Sequence, residues 1–190
     1  MSTFMGEWGT TLRASRPNYP TSSSCRSEVS RSLHCIRRAI HRGTCAFFVD
    51  PEDGTPPSVF TGDTLFVGGC GNFNAGTPQM MTEAFLKLGS LPPDTLVWVG
   101  HEYTAANFQY CAFVEPSNAL VVDKASWVQQ QRSQGNATVP SLLAEELETN
   151  PFMRAAQAVP SVMAHTGAQE PWQAMKFVRE EKSSGSWKSK

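Results

Sequence analysis

The sequence predicts an α/β unit followed by a small helical domain, and three observations carry that prediction. Strand signals surround a single helix as far as Thr104 and are absent after it. Two short apolar runs, Val59-Phe60-Thr61 and Leu96-Val97-Trp98-Val99, each end at a glycine and then offer a metal-type side chain, Asp63 and His101. The charge balance also breaks sharply. Residues 1–42 hold seven Arg, no Lys and two acids, a balance of +5, whereas the remainder holds nine Lys plus Arg against fifteen acids, a balance of −6.

Composition bounds the function classes. A chain of 190 residues with 40% hydrophobic content is long enough to bury a core. Its net charge of −1 gives no reason to expect a nucleic-acid partner. No apolar run approaches the length of a membrane span. Five cysteines, Cys25, Cys35, Cys45, Cys70 and Cys111, are odd in number and form no CxxC pair. They point to a reducing, cytoplasmic setting rather than a disulfide scaffold. The Arg- and Ser-rich stretch 1–42 has the composition of a mitochondrial transit segment but lacks an amphipathic helix, so it reads as irregular.

From Thr44 the chain changes character. Cys45–Val49 reads as a strand, Asp50-Pro51-Glu52-Asp53-Gly54 as a turn, and Ser58–Thr61 as the returning, buried strand. Gly68-Gly69-Cys70-Gly71 requires close backbone approach to a ligand or a packed neighbour, and it is not a phosphate-loop pattern. Thr77-Pro78 opens a helix whose Met81, Ala84, Phe85 and Leu88 form one core-facing stripe ending at Gly89. After the strand that ends at His101, Thr104–Phe113 reads as helical. A longer helix follows from Pro116-Ser117 to Gly135, with Val121, Val122, Ala125 and Val128 on one face. Pro140-Ser141 with Glu145 and Glu146 starts another helix, Asn150-Pro151-Phe152 breaks the pattern, and Pro171 opens the last. There Trp172, Met175 and Val178 face inward, and Arg179 and Lys182 lie near a C-terminus whose dipole favours cations.

A carboxylate and an imidazole presented at strand ends suit a zinc-type site. Taken singly, an Asp after Gly is also an ordinary turn residue, and a His is often a satisfied polar group. The pair alone names no reaction.

Several blocks extend the reading: Phe60-Thr61-Gly62-Asp63-Thr64-Leu65-Phe66, Gly69-Cys70-Gly71, Leu91-Pro92-Pro93-Asp94-Thr95, Gly100-His101-Glu102-Tyr103-Thr104, Val114-Glu115-Pro116, Thr138-Val139-Pro140-Ser141, Asn150-Pro151-Phe152-Met153-Arg154 and Val178-Arg179-Glu180-Glu181-Lys182. Over about Thr44 to Lys182 the chain resembles the hydroxyacylglutathione hydrolases, or glyoxalase II enzymes, of the metallo-β-lactamase superfamily. The resemblance implies a partial αββα sandwich followed by a C-terminal helical domain. The divisions it implies are an irregular segment 1–42, the end of a metallo-β-lactamase-like domain over 43–104, and a glutathione-binding helical domain over 105–190.

It also implies two metal ions, zinc or iron, with Asp63 bridging them and His101 a terminal ligand, and catalysis through both residues. Tyr103 would touch the glutathione moiety, and Arg179 and Lys182 would hold its glycine carboxylate. Asn72 and Asn74 stand where the family commonly has Lys and Tyr substrate contacts. The implied activity is hydrolysis of S-D-lactoylglutathione to D-lactate and glutathione in methylglyoxal detoxification, by a monomer acting on a small thioester. Two rivals remain. One is a truncated, non-catalytic chain of the same family; the other is a one-iron persulfide dioxygenase, against which the long helical tail counts.

The family's His-x-His-x-Asp-His motif is absent. The four histidines are His34, His41, His101 and His165, and His41 sits too close to Cys45 to match a family ligand without a gap. Back-translation offers an account. In the frame shifted by two bases, the codons across residues 37–44 permit Pro-Cys-His-Thr-Pro-Gly-His, a string of the family's type. The expectation is therefore that residues before about Gly43 are an out-of-frame or mis-spliced translation. Sequencing the genomic DNA just upstream of the Thr44 codon should reveal the His-rich stretch in the shifted frame; a stop codon there would defeat the idea.

Overall fold

The computed structural model describes residues 33–37, 45–51, 54–73 and 76–189. Its main sheet has five strands in the order β1-β2-β3-β6-β7. β2 (Cys45–Val49) and β3 (Ser58–Gly62) are the antiparallel pair expected from the turn between them. β6 (Leu96–Val99) lies beside β3 in parallel, so the chain must cross over between them, and α1 (Pro78–Gly89) lies within that crossover. Thr77 caps α1 by accepting the Met80 N–H at 3.3 Å, and Met81, Ala84, Phe85 and Leu88 are all buried as the spacing predicts.

Two strands depart from the sequence reading. β1 (Leu33–Arg37) lies inside the stretch read as irregular, yet pairs antiparallel with β2. The outer edge of β2 carries unpaired backbone groups, and a neighbouring segment can satisfy them without showing any side-chain period. The rest of the 1–42 segment, including His41, lies outside the described residues. β7 (Ser141–Leu142) pairs antiparallel with β6 where a helix start was expected. Two residues are too few to show a period, and the helix begins only at Leu143.

The helices after Thr104 are α2 (Thr104–Val114), α3 (Ala119–Ser133), α4 (Leu143–Thr149), α5 (Pro151–Ala156), α6 (Pro160–Thr166) and α7 (Pro171–Ser184). α3 starts at Ala119, capped by Asn118, rather than at Pro116-Ser117, and Val122 is exposed while Val121 and Val128 are buried. Asn150-Pro151-Phe152 marks a new start rather than a break: the Asn150 side chain accepts the Phe152 N–H at 3.0 Å and Pro151 takes the first turn of α5.

One buried cluster crosses residue 104. It joins Ala46, Phe48, Val59 and Val97 of the sheet to Phe85 of α1, Phe152 of α5 and Met175 and Val178 of α7. Arg154 of α5 meets Glu115, at the end of α2, with two hydrogen bonds of 2.6 and 3.0 Å, a planar fork against a carboxylate.

A small hairpin, β4 (Leu65–Phe66) and β5 (Gly69–Cys70), stands apart from the sheet. Its backbone is satisfied by helix side chains. Asn150 donates to the carbonyls of Phe66 (3.2 Å) and Gly69 (3.1 Å), Asn107 to Val67 (2.8 Å), the Cys111 thiol to Gly68 (3.3 Å) and Arg179 to Cys70 (2.7 Å). The Gly68 N–H donates to Glu146, which also accepts from Ser141 and Asn150. The glycines are there for packed neighbours: a Cβ on Gly69 would lie 2.6 Å from Asn107, and one on Gly68 2.8 Å from Phe108.

Burial raises the Glu146 carboxyl above the ordinary carboxylate range, and the donors from Asn150, Gly68 and Ser141 only partly offset this. Glu146→Ala leaves these donors unpaired and should cost about 3 kcal/mol or more in denaturant unfolding. Glu146→Gln retains most of the network. Because the folded pKa is raised, the folded state holds the proton more tightly. Wild-type stability should therefore fall relative to the Gln variant as pH rises above the unfolded carboxylate value, and the gap should level off above the folded one. A pH-independent gap in urea midpoints would refute this.

Candidate functional site

Asp63 and His101 lie at the ends of the parallel strand pair β3 and β6. The Gly62 carbonyl accepts the Gly100 N–H at 3.0 Å, which sets the two strand ends side by side. Gly62 has φ of +51°, so the chain turns sharply there, and Thr61 secures the turn by donating to the Leu65 carbonyl at 2.8 Å. Close approach does the rest. A Cβ on Gly100 would lie 2.7 Å from the Asp63 carboxylate, and one on Gly71 2.1 Å from the Asp63 carbonyl oxygen.

His101 Nε2 and Asp63 Oδ1 are 3.6 Å apart, with 54% and 56% of their side chains exposed. A contact so open to water contributes little stability. His101 stacks on Tyr103, with ring centroids 5.2 Å apart and planes 21° apart, and Tyr103 meets the edge of Phe66 at 5.2 Å. Tyr103 is half exposed.

Glu102, between them, turns the other way. It accepts from the Thr138 N–H at 2.9 Å and the Thr138 hydroxyl at 2.6 Å. Burial opposes its charge, but the hydroxyls of Thr104 and Thr138, the Thr138 N–H and Arg132 outweigh that and hold its carboxyl below the usual range. Glu102 thus anchors the His101 loop and is not a candidate ligand.

Arg179 and Lys182 reach from α7 to the hairpin and to α2. Arg179 donates to the Cys70 carbonyl, one residue before the Gly71 that abuts Asp63, and lies 5.4 Å over the Phe152 ring. Lys182 donates to the Asn107 side-chain oxygen. Burial, then the neighbouring Arg179, lower the Lys182 pKa to about 8. Cys70 is buried and its thiol is pushed up to about 11, chiefly by burial, so it is a packing residue and not a nucleophile. Asn72 is exposed just after β5. Asn74 lies outside the described residues.

The arrangement offers one carboxylate and one imidazole together, and two cations of α7, Arg179 bonded to the hairpin that follows Asp63 and Lys182 to Asn107 of α2. Among the described residues, no group of three or more His, Cys, Asp or Glu could hold a metal ion. A two-donor set does not fit a retained dinuclear centre. Sequence reasoning passed over Asn107 and the buried role of Glu146. Both are polar residues on helices with no local mark of burial, and only their partners across the chain identify them.

Comparison with known proteins follows the same lines. Residues 102–185 match the family described as the hydroxyacylglutathione hydrolase C-terminus. The "Hydroxyacylglutathione hydrolase cytoplasmic" of Arabidopsis thaliana is 43% identical over 142 residues, covering 74% of this chain and 54% of that protein. The hydroxyacylglutathione hydrolase of Nostoc sp. is 44% identical over 139 residues, 73% of this chain and 53% of that protein. The chain thus spans about half the length of the curated relatives it matches. Among solved structures, a metallo-β-lactamase from Staphylococcus aureus superposes with a TM-score of 0.45 at 17% identity, covering 76% of this chain and 33% of that one. ETHE1 from Myxococcus xanthus does so with 0.43 at 19%, covering 84% and 57%. No described helix is long and apolar enough to cross a membrane. With these blocks and these relatives, the chain belongs to the hydroxyacylglutathione hydrolase family.

Proposed function

We propose that this chain carries the glutathione-thioester-binding portion of a hydroxyacylglutathione hydrolase. The reaction it serves is S-(2-hydroxyacyl)glutathione plus water to a 2-hydroxy acid plus glutathione. The observation that carries the reading is the contact of Arg179 with the hairpin whose next residue packs on Asp63. It links a carboxylate-binding cation to the metal-type carboxylate through adjoining backbone.

The roles follow from the chemistry of the side chains. Arg179 and Lys182 would take the glycine carboxylate of the tripeptide, Arg as a fork and Lys as a point charge. Tyr103, exposed and stacked on His101, would border the thiol carrier, and Asn72 would add a polar contact at the hairpin end. Asp63 and His101 are the ligand types that a zinc or iron hydrolase uses. Among the described residues only these two donors come together, too few for the metal pair. That shortfall favours a second reading, a chain of the same family that binds glutathione thioesters without turning them over.

Two measurements test the proposal. Metal analysis of the purified chain, beside an S-D-lactoylglutathione hydrolysis assay, separates the readings: about two zinc equivalents with turnover supports the hydrolase, and near none without turnover the impaired chain. Glutathione binding by calorimetry should weaken as pH rises through about 8, where Lys182 loses its proton. Lys182→Met should bind at least tenfold more weakly at pH 7 and lose that pH dependence. Binding that ignores both Lys182→Met and Arg179→Ala would defeat the assignment of these cations.

A further inference from the structure

Asn107 is engaged at both ends of its amide. It lies on α2, is 3% exposed, and donates through Nδ2 to the Val67 carbonyl at 2.8 Å, while its Oδ1 accepts from the Lys182 ammonium. The first bond fixes the second. With Nδ2 held by a carbonyl, only the oxygen can face Lys182, because the reversed amide would set oxygen against oxygen and donor against donor. The hairpin makes room for this side chain: a Cβ on Gly69 would lie 2.6 Å from Asn107 Nδ2. Satisfying Val67 takes only the donor half of the amide, and the acceptor half is left for Lys182.

The titratable groups around Lys182 come from three elements: Arg179 of α7, Cys70 of β5, and Tyr110 and Cys111 of α2. Burial pushes both thiols up, Cys70 to about 11, and it raises the Tyr110 hydroxyl as well, so none of the three carries charge near neutrality. Glu181, next to Lys182 along α7, accepts from the Tyr110 hydroxyl at 3.1 Å and lies 2.8 Å from His165 Nε2. A buried cation ordinarily meets a carboxylate. Here the acceptor bonded to Lys182 is an amide and the one bonded to Arg179 is a backbone carbonyl, both neutral. Two positive side chains one turn apart are thus held on acceptors that cancel none of their charge.

We propose that Asn107 is a positioning residue, which holds the Lys182 ammonium beside Arg179 on a neutral acceptor so that the charge of both cations stays available to a ligand carboxylate. The inference rests on the reading of Arg179 and Lys182 as carboxylate-binding cations, and it gives Asn107 itself no contact with the ligand. Asn107→Asp would pair the ammonium more tightly and cancel its charge. Asn107→Leu would fill the same space and leave the ammonium without this acceptor. Both variants lose the bond to Val67, so the difference between them reports the charge at this position.

The test follows Lys182 in the full chain by NMR of isotope-labelled lysine Cε, with Lys182→Met for assignment, beside calorimetry of glutathione binding. In the wild-type chain the Asn107 side-chain amide resonances should move with the same midpoint as Lys182, near pH 8, because deprotonation replaces an ammonium donor at Oδ1 with an amine. Asn107→Asp should raise the Lys182 midpoint by at least about one pH unit, yet bind glutathione at least about tenfold more weakly at pH 7. Asn107→Leu should lower the midpoint, and the pH at which glutathione binding fades should fall with it. An asparagine that only supports the hairpin would leave the Lys182 midpoint unmoved in both variants. That result overturns the proposal, as do midpoints that move the same way, or wild-type affinity retained by Asn107→Asp. An Asn107 resonance that stays flat across the Lys182 titration overturns it too, and that measurement needs no variant to fold. If the midpoints diverge as expected but the wild-type chain binds no glutathione, the role of Asn107 toward Lys182 stands and the proposed function is what fails.

Discussion

The structure depends on how the helices hold a six-residue hairpin. Five successive carbonyls, from Phe66 to Cys70, each accept a hydrogen bond from Asn150, Asn107, Cys111 or Arg179, and the Gly68 N–H finds Glu146. A hairpin this short cannot satisfy its own backbone, and an unpaired polar group away from water costs about as much as a lost hydrogen bond. The solution places a buried carboxyl, Glu146, beneath the glycines with no cation bonded to it, at an evident desolvation cost. In return the turn that ends against Asp63 has its backbone fixed from below by residues up to 109 positions away in the chain.

The two halves of the candidate site are held in opposite ways. Asp63 and His101 are open to water, and their positions come from backbone, through Gly62, Gly71 and Gly100, rather than from their weak mutual attraction. Arg179 and Lys182 are drawn inward, over the rings of Phe152 and Tyr110, and already hold the Cys70 carbonyl and Asn107. On the proposed reading, a ligand carboxylate would exchange with those neutral acceptors, an exchange that charge-assisted hydrogen bonding favours. The lowered Lys182 pKa is the mark of the same burial.

Much of this was legible in sequence. The strand ends at Asp63 and His101, the α1 stripe and its Thr77 cap, and the start of α7 at Pro171 all follow from local rules and appear where the rules put them. The misses are equally local in origin. β1 and β7 have no signal of their own because an edge strand is defined by the neighbour it pairs with. Phe60 and Trp98 read as interior residues because a strand's period does not say which face is covered. Asn150-Pro151 carries the same local cap-and-proline pattern as Thr77-Pro78, and reading it as a break overlooks that; only the ties of Asn150 to Phe66 and Gly69, which span more than eighty residues, lie beyond local rules.

The order of letters by itself determined which residue types were on offer. It supplied an Asp and a His after two glycine-ended strands, a Gly-rich turn, a cap at each of several helices, and two cations one turn apart near the chain's end. Those are matters of chain stiffness, capping and periodicity, all settled within a few residues. Only the tertiary structure decided that the two strands lie parallel and adjacent. It likewise decided that the glycines admit Asn107 and Phe108, and that an aromatic row faces outward. Each of those is a pairing across dozens of residues, set by burial and hydrogen-bond satisfaction rather than by any local preference.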